Sequence, residues 1–254
     1  MLRFLALAII LLCVPSKVFA TTFATWDTFN KDTQIDLTNG DLTATGNNNA
    51  RFGAVLGTIG KSSGKWYWEY TVDTIDGSGN SIWGVGGFGT TLTTYVGHDA
   101  DGYGNYPNTG SGANKVNNNS FQLYGNSAIA GDVIGVSLDM DAGEISISIN
   151  GVDQGVMYTG LTGTLYPAFS TNVIGNAVTA NFGQSAFAYS VPSGYNAGLY
   201  DGSAPTTTIW QLPTSTPTFE YLINNYGNAM ITIGATVLLV SFFGMIFTVF
   251  KRLV

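Results

Sequence analysis

The chain has one histidine, so any Ser-His hydrolase would have to use His98, in Gly97-His98-Asp99-Ala100-Asp101-Gly102-Tyr103. No GxSxG nucleophile elbow accompanies it, and the segment reads as a polar surface loop. The one cysteine, Cys13, excludes an internal disulfide, and with a single His it leaves zinc without ligands. Calcium needs only oxygens. Asp99 with Asp101, and Asp139 with Asp141 and Glu144, could supply them, yet neither set completes an EF-hand pattern. Calcium therefore stays open, while no cofactor or catalytic residue is expected.

Two glycine motifs imitate phosphate sites. Gly84-Val85-Gly86-Gly87-Phe88-Gly89 satisfies GxGxxG, but that fingerprint needs a helix after the third glycine, and Thr90-Thr91-Leu92-Thr93-Thr94 is a poor helix start. Gly60-Lys61-Ser62 ends like a phosphate loop, but Val55 stands where the first glycine belongs, so it reads as a turn. What remains is binding chemistry. Tyr95, Tyr103, Tyr106 and Tyr124 lie among Asn, Gly and Asp, and such surfaces make adaptable binding loops. With His98, Asp99 and Asp101 they form the candidate ligand-binding set.

These residues sit between two unusual ends. Met1–Ala20 carries Arg3, an apolar run Phe4–Val14 and Val18-Phe19-Ala20, the pattern of a cleaved signal peptide. Ala229–Phe250 is a run of 22 residues without a charge, about 33 Å as a helix and long enough to cross a bilayer. Lys251 and Arg252 follow, which orients the C-terminus to the cytoplasm. Pro205–Pro217 is Pro/Thr-rich and reads as a stalk. The expected organisation is signal peptide 1–20, exported domain 21–201, stalk and juxtamembrane segment 202–228, span 229–250 and tail 251–254.

Of 254 residues, 33 are glycine and only 10% are charged. Residues Thr21–Asn228, the whole stretch between signal peptide and span, keep five basic residues against all 16 acids, a formal charge of −11. That disfavours nucleic acid and anionic surfaces as partners. Within it the hydrophobic period is two. Trp66, Trp68, Tyr70 and Val72 alternate with Tyr67, Glu69 and Thr71, a half-buried strand. Ile134, Val136 and Leu138 make another, and Ile145, Ile147 and Ile149 a third. Asn150-Gly151 supplies the type I′ turn into Val152–Tyr158. Period two with Gly/Asn/Asp turns, and no sustained helical period, predicts an all-β antiparallel sandwich followed by one transmembrane helix.

Gly64–Val72 (GKWYWEYTV), Trp83–Gly86 (WGVG), Gly131–Gly155, Leu165–Ser170 (LYPAFS) and Asn181–Tyr195 resemble, in order and spacing, the SPRY or B30.2-core family. The resemblance implies a bent two-sheet sandwich that binds through loops at one end and does not catalyse. The stretch Thr90–Asn119 departs from the family as a long polar insert. Glu220-Tyr221, Gly234-Ala235-Thr236 and the basic C-terminus separately resemble the filamentous-phage major coat protein, over a short stretch. Two functions follow. One is a membrane-anchored module that binds a protein or glycan outside the cell. The other is a minor coat or adsorption protein of a filamentous phage, which would also contact other coat subunits.

Overall fold

A computed structural model describes residues 21–77, 80–107 and 112–202. The signal-peptide, stalk, span (Ala229–Phe250) and tail (Lys251, Arg252) assignments lie outside the described residues. Among the described residues no helix is long and apolar enough to cross a membrane.

The strands are, in chain order, β1 (Thr22–Phe23), β2 (Trp26–Lys31), β3 (Ile35–Thr38), β4 (Thr43–Gly46), β5 (Gly53–Gly57) and β6 (Lys65–Thr74). Then come β7 (Ser81–Gly86), β8 (Gly102–Tyr106), β9 (Asn114–Asn117), β10 (Ser120–Leu123), β11 (Val133–Asp139) and β12 (Glu144–Ile149). The last are β13 (Val152–Thr159), β14 (Tyr166–Thr171), β15 (Ala177–Asn181), β16 (Asn196–Ala197) and β17 (Tyr200–Asp201). One sheet runs β10-β9-β8-β7-β14-β5-β2. The other runs β13-β12-β11-β6-β15-β4-β3, and β16 continues beside β6 as a short parallel pair. A two-residue ribbon of β1 and β17 joins the first and last strands.

The sheets close on one core because their facing positions are large and apolar. Trp26, Trp68, Tyr70, Trp83, Phe169 and Phe182 are all fully buried there. Trp26 stacks on Tyr70 at 5.5 Å and meets Phe182 edge-on at 5.4 Å. Asn150 and Gly151 take φ of 50° and 76°, as the type I′ turn between β12 and β13 requires.

Strand β6 departs from simple alternation. Trp68, Tyr70 and Val72 face the core as expected, but Tyr67 and Glu69 on the outer face are only 2% and 3% exposed. The segment 183–195 lies over them. It is held by the Glu69 carboxylate, which accepts from Tyr67 Oη (2.9 Å), Ala188 N (2.8 Å) and Tyr189 N (2.9 Å). The outer face of the seven-stranded sheet is covered too. Ala54, Leu56, Ile82, Val116 and Ala168 bury there with Val96 from the 87–101 connection, forming a second, smaller core. Val96 N donates to the buried Ser170 Oγ at 3.0 Å, and Ala54 N to Leu92 O at 2.8 Å, tying that connection down.

Candidate functional site

The stretch Thr90–Asn119, read from sequence as a polar insert, contains strands β8 and β9. Tyr103 and Tyr106, expected on loops, therefore lie on β8, paired with β7 through Gly84–Gly104 and Gly86–Gly102. These glycines hide the strand from a search for alternating apolar residues. They are required by close approach: a Cβ at Gly104 would lie 2.4 Å from Ile82 and 2.7 Å from Val96 O, and one at Gly86 would lie 2.6 Å from Thr90 Oγ1. Gly84 and Gly86 of the GxGxxG run thus serve strand pairing beneath a covering loop.

The candidate residues divide into three groups. The first converges over the small core that covers the outer side of the seven-stranded sheet. Tyr95 packs against Phe52 (5.3 Å), His98 (5.2 Å) and Phe121 (5.8 Å), and its hydroxyl hydrogen-bonds Asn119. Tyr106 adjoins Phe121 at 6.1 Å and donates to Asn80 at 2.8 Å. Burial raises the pKa of Tyr95, and burial followed by the nearby Asp76 charge raises that of Tyr106, so both hydroxyls stay neutral donors at physiological pH. His98 is exposed, and Phe121 is 47% exposed. Five rings from four chain segments form one patch.

In the second group, Asp101 and Tyr103 share a cavity of about 420 Å³ with Thr162, Thr164 and Tyr166, and the 79%-exposed Phe88 stands among its lining residues. Asp101 is held by backbone: its carbonyl accepts from Gly87 N at 2.7 Å and Thr90 Oγ1 at 3.2 Å.

The third group is structural. Asp99 turns both carboxylate oxygens onto its own loop, accepting from Thr91 N (2.8 Å) and Asp101 N (3.2 Å). Tyr124 lies apart from the other tyrosines. Its hydroxyl donates to Gly155 O at 2.6 Å and accepts from Ile147 N at 3.2 Å, and burial pushes its pKa up to about 12. With Lys115 Nζ donating to Met157 O at 2.7 Å, it joins the β9–β10 side of one sheet to β13 of the other.

The acidic turn is similarly committed. Asp139 binds Lys65 at 2.7 Å and accepts from Asp141 N and Ala142 N, while Asp141 accepts from Gly64 N at 2.7 Å. Burial alone would raise the Asp139 pKa, but Lys65 and the two amides hold it below the ordinary carboxylate range. Among the described residues no three His, Cys, Asp or Glu side chains gather to hold a metal.

Sequence reasoning missed Phe52, Phe88 and Phe121, single aromatics in polar surroundings whose neighbours come from other strands. It also missed Tyr166, the second residue of the LYPAFS block, which lines the cavity.

Residues 65–185 match the SPRY domain family. Ran-binding protein 9 of Xenopus tropicalis is 29% identical over 133 residues, covering 52% of this chain and 24% of that protein. The E3 ubiquitin-protein ligase TRIM9 of Drosophila melanogaster is 29% identical over 118 residues, covering 46% of this chain and 16% of that protein. The chain thus spans a quarter or less of these relatives. The crystal structure of the SPRY domain of human HERC1 superposes with a TM-score of 0.55 at 22% identity, over 63% of this chain and 99% of that one. The TRIM65 PSpry domain does so at 0.53 and 15%, over 63% and 92%. In sequence family and in fold, residues 65–185 of this chain are a SPRY domain.

Proposed function

We propose that this protein is an exported, membrane-anchored binding module that engages a protein outside the cell through the patch of Phe52, Tyr95, His98, Tyr106 and Phe121. The observation that carries this reading is the convergence of those rings over one sheet, with His98 and Phe121 exposed to solvent. Aromatic clusters of this kind supply large contact area at low cost in side-chain entropy, and such anchors dominate protein interfaces. The relative named as Ran-binding is consistent with a protein ligand. Export and anchoring rest on the Met1–Ala20 pattern and on the uncharged run Ala229–Phe250 with its basic stop.

The test is site-specific photocrosslinking from intact cells carrying the full chain. A crosslinker at Phe121 should capture a discrete partner. One at Phe29, fully open on the opposite edge strand of the same sheet, should not. Equal capture at both positions, or none at Phe121, overturns the patch as the docking surface.

A second setting is favoured by the coat-like Glu220-Tyr221 and Gly234-Ala235-Thr236 spacing. In it, the same module rides on a filamentous phage particle. Peptide mass spectrometry of washed membranes against particles banded from the medium separates the two. Enrichment of peptides from Thr21–Asp201 in particles selects the virion protein, and confinement to membranes selects the resident receptor or adhesin.

A further inference from the structure

A second concavity, of about 260 Å³, opens on the outer face of the other sheet. Its floor is a row of hydroxyls on three neighbouring strands. Tyr67 on β6 pairs with Ser137 on β11, Ser137 pairs with Ser146 on β12, and Ser148 follows two residues along. Neighbouring strands lie about 4.8 Å apart, so the row presents evenly spaced donors and acceptors. Among the described residues nothing hydrogen-bonds the side chains of Ser137 or Ser146. Its wall is the covering segment, with Tyr189, Ser190, Pro192 and Tyr195. Its rim is the β12–β13 turn, where Gly151 lies so close to the Tyr189 ring that a Cβ would come within 2.5 Å of it.

Charge selects the ligand class. Asp153 lines the cleft, and the Lys65 ammonium, 5.9 Å from the Tyr195 ring, is already bound to Asp139 at 2.7 Å. An anionic ligand would meet the Asp153 carboxylate and no cation among the lining residues. The lining offers no aliphatic side chain beyond Pro192, so a purely apolar ligand would strand the serine hydroxyls. A small neutral polyol ring suits both constraints: its hydroxyls meet the serine row, and its C–H faces lie against tyrosine rings. The volume falls just below that of pockets for drug-sized ligands, which fits a single sugar ring. The cover is fixed beforehand, because the buried Glu69 carboxylate ties the Ala188 and Tyr189 amides to the sheet, and a preformed site loses little entropy on binding.

We propose that this hydroxyl-floored cleft between the β6–β11–β12 face and the 183–195 segment is a binding site for one neutral saccharide unit. It stands independently of the aromatic patch, on the opposite sheet.

The experiment uses the full chain in a detergent without a sugar headgroup, titrated by saturation-transfer NMR. The probes are the methyl glycosides of glucose, galactose, mannose and N-acetylglucosamine, with choline as a cationic control. At least one glycoside should bind, and S137A/S146A should weaken it at least about tenfold. Phe121→Ala should leave it unchanged while abolishing capture by a crosslinker moved to His98, so the two sites fail separately. If S137A/S146A does not fold, judged by its thermal transition, Tyr189→Ala supplies the same readout. Absence of binding by all four glycosides overturns the proposal. So does choline binding without glycoside binding, or glycoside binding that survives whichever folded cleft variant is read.

Discussion

Both sheets bury their outer faces under a single stretch of chain, but by opposite means. The 87–101 connection settles on the seven-stranded sheet through Val96 and a small apolar cluster, with glycines where it must come close. The 183–195 segment settles on the other sheet through one buried carboxylate that accepts from two of its amides. Apolar contact is non-directional, so the first cover can change its exposed residues while keeping its seat. A buried carboxylate fixes partners atom by atom, and losing one leaves a charge or amide unpaired. The aromatic surface sits on the apolar cover, and the hydroxyl-lined cleft on the polar one.

The comparison is sharpened first against the shared core. Trp68→Ala should lower stability by about 3–5 kcal/mol in a urea titration, since Trp68 is fully buried between the sheets. Glu69→Ala should cost about 3 kcal/mol by orphaning Tyr67 Oη and two amides, and hydrogen exchange at Ala188 and Tyr189 should accelerate with it. If Glu69→Ala proves nearly neutral, the polar cover is not what seats that segment. Val96→Ala should cost less, about 1–2 kcal/mol, and leave exchange at Ala188 untouched.

Acid provides a further separation. The Asp139 pKa is depressed, so its contribution is present above the ordinary carboxylate value near 3.9 and is lost as pH falls through the lowered one. Asp139→Asn should therefore be less stable than the parent at pH 7, by about 1–2 kcal/mol, and the gap should narrow below about pH 4. Urea midpoints at pH 7 and pH 3 measure it. Smallest of all, Phe121→Ala should shift stability by no more than about 0.5 kcal/mol, because Phe121 is half open to solvent.

Where side chains alternate, the sequence is readable. Trp66–Val72, Ile134–Leu138 and Ile145–Ile149 declare their strands, and Asn150-Gly151 its turn. Strand β8 was not legible, because GYGNY presents glycine at the positions that rest under the cover, and a missing side chain has no hydropathy to count. Burial of Tyr67 and Glu69 was equally hidden, since it depends on a segment more than a hundred residues away. The candidate site was legible in part. Tyr95 meets His98, but Phe121, placed by β-sheet register, is what links Tyr95 to Tyr106, while Tyr124 went to a structural clamp and Asp99 to its own loop.

The β1–β17 ribbon has an architectural consequence. Thr22 pairs with Asp201 and Phe23 with Tyr200, and Lys61 donates to Tyr200 O at 2.7 Å beside the Trp66 ring. The polypeptide thus enters and leaves this sandwich through the same doorway. Splicing such a unit into a surface loop of a host protein would separate the two cut ends by little more than one interstrand gap. A graft of Thr21–Gly202 would then leave its host's own fold almost undisturbed, so the module is transferable by virtue of how its first and last strands shake hands.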